Sequence, residues 1–377
     1  MRIAFFYPSL IEDSECGTSN FIRGIITQLA EDGDEVKIFQ TSTQNHQNST
    51  PTPTHNQNTI LTSPLLNSSR IQILSIAPHP VPLIELEQHL EQIDLVLVHE
   101  QSSALLIHTL GELRKNRATF KLFFHDHLHK ILTNPTWILS LNLKHFDGVL
   151  TSRTETQRMY LNTGLTRQAW VWKEAIRTDE FKPTTLHHHT IETLHAGIKT
   201  RADYESPELQ DCILSALKEM NLGIRLYGSY TVRPFSIEEC RAHIYLRGKA
   251  HHARMPEIYS QSRVTFSTQQ APSQRCTPHL PSMRLLEALA CGTPLISTPW
   301  EDTENLFTPG QDYLLTHHKD ETKELVRLLL SDSHFRGELT QHARQTILNH
   351  FSTQKRAQEL RVISQSLSLC VKEDCVF

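Results

Sequence analysis

The chain has no apolar run approaching the roughly 18 residues of a membrane span, so a transmembrane helix is not expected. It also lacks an excess of positive charge. Its 37 Lys and Arg stand against 41 Asp and Glu, a formal net charge of −4. The basic surface typical of nucleic-acid binders is therefore missing, and nucleic acid is not expected as a partner. Close cysteine pairs are missing too. The 7 cysteines are scattered, Cys370 and Cys375 being the nearest two, which argues for a reduced, cytoplasmic chain. No secretory leader is expected, because Glu12, Asp13 and Glu15 interrupt the apolar start and the first residues read better as a strand. A Gly-x-Gly-x-x-Gly fingerprint is absent after that strand, which argues against a dinucleotide site there.

What is present is a chain of 377 residues, 38% hydrophobic and 21% charged, a globular balance with length for about two domains. Apolar runs at 3–7, 36–39, 71–76, 94–98, 121–124 and 148–150 lack polar alternation, as expected of strands buried on both faces. Helical stretches are predicted between them at 18–30, 103–114 and 154–161. A second series predicts strands at 191–195, 224–227, 264–267, 294–297 and 313–315, with helices at 207–220, 255–260, 283–290 and 323–329. Both are βαβ series and predict parallel sheets. Pro183 and the Thr and His residues after it separate them, and one long helical pattern runs from 335 to 369. Residues 40–69, dense in Thr, Ser, Asn, Gln, His and Pro, are expected to form a flexible polar insertion in the first domain.

The most informative stretch is 281–300. Ser282 can cap a helix whose apolar face carries Met283, Leu286 and Ala290; Gly292 can end it, and Pro294 opens the next strand. Such a helix start offers unpaired N–H groups and a positive dipole end, a cradle for a diphosphate. Arg284 in the first turn opposes the dipole unless an anion binds beside it, and Glu287 one turn on could accept both hydroxyls of a ribose. An ordinary amphipathic helix with a solvated Glu and Arg reads the same residues equally well.

The motif Pro281-Ser282-x-Arg284-x-x-Glu287-Ala288-x-Ala290-Cys291-Gly292, with Pro294 and Trp300, resembles the nucleotide-binding helix of retaining GT-B glycosyltransferases of the family 4 type. It is most similar to the branch related to the spore-maturation protein CgeB. Glu304, Leu306-Phe307, Pro309-Gly310 and Asp312-Tyr313 fit that branch downstream. His125-Asp126-His127, Tyr160, Gly164, Trp172, Glu174-Ala175 and Phe181-Lys182-Pro183 fit it upstream. The resemblance implies an α/β chain of GT-B architecture, two Rossmann-like domains with parallel sheets facing across a cleft. Residues 1–182 would form an acceptor domain and 183–345 a nucleotide-sugar domain, with a helix at 346–377 returning to the first. It implies a hexosyl transfer from a nucleotide diphosphate sugar to an acceptor hydroxyl, retaining and without metal, the donor being a substrate and no cofactor being needed. The acceptor is an unidentified glycan or small molecule. A catalytically inactive nucleotide-sugar-binding scaffold and a sugar-nucleotide epimerase are the alternatives.

Carried over residue by residue, the resemblance points His125 at the donor sugar, with Asp126 and His127 in support. Arg284 and Glu287 complete the reacting set. Gly197, Lys199 and Arg201 would hold the diphosphate together with Pro281, Ser282 and Met283, and Gly248 and Lys249 would meet the base. Gly17, Thr18 and Asn20, after the first strand, face acceptor or sugar on this reading; a plain helix cap by Thr18 is the other account. The sequence departs from the family at His279, where a sugar-contacting Glu is usual, at Lys173, where the branch has His, and in the single glycine of the first loop. Histidine is abundant, with 23 residues. Along an extended segment His125, His127 and His129 would share a face, but no fourth partner of metal-site spacing is evident and no metal is expected. The other clusters, at 187–189, 251–252 and 317–318, read mostly as surface or loop residues, and Trp170, Trp172 and Trp300 as packing residues.

Overall fold

The computed structural model describes residues 1–7, 10, 17–41, 68–76, 83–116, 119–127, 129–184, 191–196, 201–228, 243–248, 250–268, 282–300, 302 and 304–373. Side chains at 17, 18, 41, 195, 196, 201, 202 and 368–373 are outside that description. Most of the 40–69 stretch lies outside it as well. The chain divides into two compact units. Unit 1 comprises Met1–Ala175 and Thr353–Phe377, and unit 2 comprises Ile176–Ser352. The observed boundaries therefore fall before the expected break at 182/183 and after the one at 345/346.

Unit 1 holds seven strands: β1 (Arg2–Phe6), β2 (Glu35–Thr41), β3 (Ile71–Ile76), β4 (Leu95–His99), β5 (Lys121–Asp126), β6 (Gly148–Thr151) and β7 (Ala169–Val171). All pair parallel in the order β3-β2-β1-β4-β5-β6-β7. The continuous apolar runs in β1, β4 and β5 are buried on both faces, as parallel strands covered by helices must be. Val96, Val98 and Phe124 pack with Ile107 and Leu110 of the Ala104–Asn116 helix and with Tyr160 of the Thr154–Asn162 helix. The sheet order reverses between β1 and β4, so the carboxyl ends of β1, β4 and β5 mark the ligand position of an open parallel sheet.

Unit 2 repeats the plan with β8 (Ile191–Ala196), β9 (Ile224–Tyr227), β10 (Ile244–Gly248), β11 (Ser262–Ser267), β12 (Leu295–Ser297) and β13 (Leu314–Leu315). These form a parallel sheet in the order β10-β9-β8-β11-β12-β13. The Met255–Ser260 and Met283–Ala290 helices flank β11 in sequence and bury Met255, Ile258, Leu285, Leu286 and Leu289 in one core. The expected helix at 207–220 is instead a π-helical turn, Glu208–Leu214, running into an α-helix, Ser215–Glu219.

The long C-terminal helical pattern is two helices, Ser333–His350 and Thr353–Glu373, rather than one. Phe351 leaves the helical backbone; its carbonyl accepts Ile176 N–H at 2.8 Å, and Ser352 bridges Ile176. The chain thus crosses between units at two points that pair with each other, and this pairing, which no helix periodicity encodes, interrupts the helix. The Thr353–Glu373 helix packs on the Gly17–Glu31 helix of unit 1. There Arg361 pairs with Asp32 at 2.8 Å and Asp34 at 2.6 Å, and the carbonyl of Arg356 accepts the Trp172 indole N–H at 3.1 Å. Among the described residues no helix is long and apolar enough to cross a membrane.

Candidate active site

In unit 2 the Met283–Ala290 helix begins at Ser282, which has extended backbone and accepts Leu285 N–H on its side chain at 3.3 Å. That cap satisfies one of the first-turn donors and leaves others pointing out of the helix start. The helix ends at Gly292, whose φ of +69° favours glycine, and a Cβ there would lie 3.2 Å from Pro183 Cγ. Arg284 and Glu287 are one turn apart and pair at 3.0 Å.

Glu287 is the unusual residue. It is only 1% exposed, on a helix face that otherwise buries Leu, Ala and Cys side chains. Its Oε1 lies 3.0 Å from His252 Nε2, and its Oε2 takes Arg284 Nη1 at 3.0 Å and the Tyr259 hydroxyl at 3.4 Å. Burial pushes this carboxyl up, but the Arg284 charge and the His252 hydrogen bond outweigh it, and the group stays below its ordinary value. The same burial, with the Glu287 charge beside it, holds the Tyr259 phenol protonated, well above its usual range. A buried carboxylate kept ionised by Arg284 and His252, on two different elements, is a strong, preoriented acceptor.

The sequence reads the His251–His252 cluster, like the others, mostly as surface or loop residues; the structure gives His252 a different place. It sits in the one-turn His252–Arg254 helix after β10, is half-buried, and packs against the Phe181 ring, centroids 5.1 Å apart. Phe181 and Pro183 thus brace the Glu287 helix from one segment, Phe181 through His252 and Pro183 at Gly292. Gly248 closes β10 at φ +65°, and its carbonyl accepts Gly228 N–H at 3.0 Å. Gly197, Lys199, Lys249, His279 and Pro281 lie outside the described residues; Arg201 opens the short Arg201–Tyr204 helix.

In unit 1 the strand ends bring together a buried polar cluster. Tyr7 follows β1, His99 and Glu100 end β4, and His125, Asp126 and His127 end β5. Tyr7 Oη lies 2.5 Å from His125 Nδ1, and the Tyr7 ring stacks on His99, centroids 4.5 Å apart. The phenol stays protonated because burial, then the Glu100 charge, raise it well above its usual range. His125 is lowered well below its usual range by burial and then by His99 and His127. A neutral His125 accepts from Tyr7 at Nδ1 and carries its proton on Nε2, which has no partner among the described residues. That ring is fully buried against Phe21 and Trp172.

His127 behaves oppositely. Burial alone would lower it, but a 3.1 Å contact from Nε2 to Glu174 and the charges of Glu174, Glu100 and Asp126 carry it above its ordinary value. Its backbone N–H also donates to Glu100 at 2.9 Å. His99 Nε2 lies 3.1 Å from Glu100 without hydrogen-bond alignment, and burial keeps that ring neutral. His129, in left-handed backbone at φ 56°, is pushed down to about 3 by burial and then by Arg153 and His127. Asp126 is committed locally. Its Oδ1 accepts Lys130 N–H at 2.6 Å, and its Oδ2 accepts Ile131 N–H at 3.2 Å and the Tyr160 hydroxyl at 2.9 Å. Gly17 and Thr18 open the Gly17–Glu31 helix, where Asn20 accepts from Arg23. Sequence reading missed Tyr7, His99 and Glu100; their signal was an apolar run ending in His-Glu at a strand end. Among the described residues no group of three His, Cys, Asp or Glu side chains is arranged to hold a metal ion.

Comparison with known proteins bears on the fold. The family model described as glycosyl transferase-like matches residues 210–361. No curated protein matches the chain in sequence at a significant level. Among solved structures, sucrose-phosphate synthase from Thermosynechococcus elongatus is similar over 98% of this chain and 100% of its own, at 15% identity and a TM-score of 0.65. Anabaena HepE in complex with UDP is similar over 97% and 100%, at 14% identity and 0.64, and is also known with UDP-glucose. A glycosyltransferase from Rickettsia africae is similar over 97% and 98%, at 12% identity and 0.63. The chain therefore has the two-unit parallel α/β fold seen in GT-B glycosyltransferases, and residues 210–361 resemble the glycosyl transferase-like family.

Proposed function

We propose that this glycosyltransferase moves a hexosyl unit from a uridine diphosphate sugar to an acceptor hydroxyl, with retention at the anomeric carbon and without a metal ion. The observation that carries the reading is Glu287, a buried carboxylate held ionised one turn inside a helix start that also bears Arg284. An ionised acceptor at that depth suits two vicinal hydroxyls of a ribose, and the helix start beside it suits the diphosphate. HepE, of the same fold, is known with UDP and UDP-glucose, which favours uridine as the base.

The chemical burden is departure of the diphosphate. First-turn N–H groups of the Met283–Ala290 helix and the Arg284 guanidinium would meet its developing charge, with Lys199 and Arg201 assigned to it on the resemblance. Such preorganised donors are the largest catalytic contribution available to a site without a protein nucleophile, and these cations take the place a metal would have. Unit 1 would supply the acceptor side, the acceptor being a glycan or small molecule, with His125 directed at the donor sugar and His127 in support on the resemblance. Free thiols at Cys212 and Cys291 agree with a cytoplasmic setting.

The test is a thermal-shift screen against UDP, GDP, dTDP and ADP, with Glu287→Ala in parallel. Ligand at one hundred times its Kd adds about 2.7 kcal/mol of stability. UDP should stabilise the wild type and not the variant. If none of the four raises the melting temperature at millimolar concentration, the transferase reading fails in favour of a scaffold that binds no nucleotide.

A further inference from the structure

We infer that His252 is the positioning residue that sets Glu287 for ribose recognition, so that discrimination for the ribose hydroxyls is written in the turn after β10 as well as in the helix motif. The inference rests on the donor reading of Glu287 and goes further, by assigning which neighbour holds that carboxylate when a nucleotide arrives.

Glu287 has three partners of different kinds. Arg284 is on its own helix, with a long, part-exposed side chain beside the helix start. A diphosphate arriving at that start competes for the guanidinium, whose several donors can be shared between Glu287 and phosphate. Tyr259 is fixed and buried, but its 3.4 Å contact is weak. His252 is the partner that is both close, at 3.0 Å, and braced. Phe181, itself buried, packs on its ring. The turn that carries it is capped by His251, whose ring accepts Ala253 N–H at 3.3 Å. His252 donates to Oε1 while Arg284 occupies Oε2, so the two partners hold different oxygens. When Arg284 shares its donors with phosphate, His252 keeps a short hydrogen bond on Oε1 that the phosphate does not contest and fixes the plane of the carboxylate, and Oε2 becomes the acceptor for a ribose hydroxyl. Without His252 the carboxylate loses its fixed orientation, and a buried acid short of partners takes up a proton and accepts poorly.

The experiment is calorimetric titration of the full chain with UDP and with 2′,3′-dideoxyuridine diphosphate, on wild type, His252→Ala and His252→Gln, with circular dichroism checking that each variant is folded. Hydrogen bonds to a charged group make the wild-type preference for UDP roughly tenfold to a hundredfold. In His252→Ala that ratio should fall at least about fivefold, with affinity for the dideoxy compound nearly unchanged, because the lost interaction is with the hydroxyls. His252→Gln, whose amide can donate to the same oxygen, should recover most of the ratio. An unchanged ratio in His252→Ala overturns the inference while leaving Glu287 as the ribose acceptor. Equal loss of both ligands in His252→Ala, with no recovery in His252→Gln, also overturns it and makes His252 structural only. A wild type that binds both compounds equally well overturns the ribose role of Glu287 and the inference with it.

Discussion

Replacing Asp126 by alanine should destabilise unit 1 by about 3 kcal/mol. The figure comes from counting donors. Asp126 is fully buried and accepts from Lys130 N, Ile131 N and the Tyr160 hydroxyl. Lys130 N–H is partly open and can turn to water, whereas the Ile131 N–H and Tyr160 hydroxyl are buried and would be stranded. Each stranded buried donor costs about 1–3 kcal/mol. Against this, the variant no longer buries a carboxyl that burial already pushes above its ordinary value, which offsets part of the loss and brings the net to about 3 kcal/mol. Urea unfolding read by tryptophan fluorescence isolates the effect in a Trp300→Phe background, because Trp137, Trp170 and Trp172 all belong to unit 1. The midpoint should drop by about 1 M or more at unchanged slope. Adding Tyr160→Phe removes one stranded donor, so the double variant should be more stable than Asp126→Ala by about 1 kcal/mol. A loss below about 0.5 kcal/mol together with abolished turnover would refute this account and make Asp126 a reacting group.

Unit 1 should be acid-labile well above the carboxylate range. His99, His125 and His129 are lowered by burial, so their stability is full above the unfolded histidine value near about 6.5 and is lost as pH falls below it. His127, raised by Glu174 against the opposing effect of burial, has the reverse sign and loses its contribution only as pH rises through its folded value. Between about pH 6 and 5 the unfolding free energy of unit 1 should therefore fall by up to about 1.4 kcal/mol per pH unit for each neutral ring; a flat profile there would show that the rings are not neutral in the folded unit. Gly292→Ala should cost unit 2 about 1–2 kcal/mol, since alanine at φ +69° is strained and its Cβ would crowd Pro183. Calorimetry of the unit 2 transition checks this, and a neutral result would mean that the helix end relaxes away from the Phe181–Pro183 segment.

Legibility in the sequence divides along the range of the interactions. Strands β1, β4 and β5 were readable because burial on both faces makes a local run of apolar residues. The Ser282 start and Gly292 end of the Met283–Ala290 helix were readable because caps are local too. The break at Phe351 was not, because its cause is the backbone of Ile176, far away in the chain. Nor was the partner of Glu287, which lies 35 residues upstream at His252. Asp126 shows the intermediate case. Its place at a strand end was legible and drew attention as a candidate for sugar chemistry, but its commitment to Ile131 and Tyr160 depends on how the following turn folds back.

The many histidines, which matched no ligand spacing, follow from the same distinction. Imidazole is the one side chain that can serve as a neutral acceptor, a neutral donor or a cation near neutral pH, with the environment deciding which. His251 and His318 act as acceptors that cap helical turns, taking Ala253 N–H and Glu321 N–H at 3.3 Å each. His125 is a neutral core ring accepting from Tyr7, and His127 is a buried charge partner of Glu174. Among the described histidines named here, His252 meets a carboxylate that also binds an arginine at the start of a helix. A spacing rule detects residues that share one ligand. These histidines each serve a different local partner, so only the fold separates the capping and core rings from the one beside Glu287.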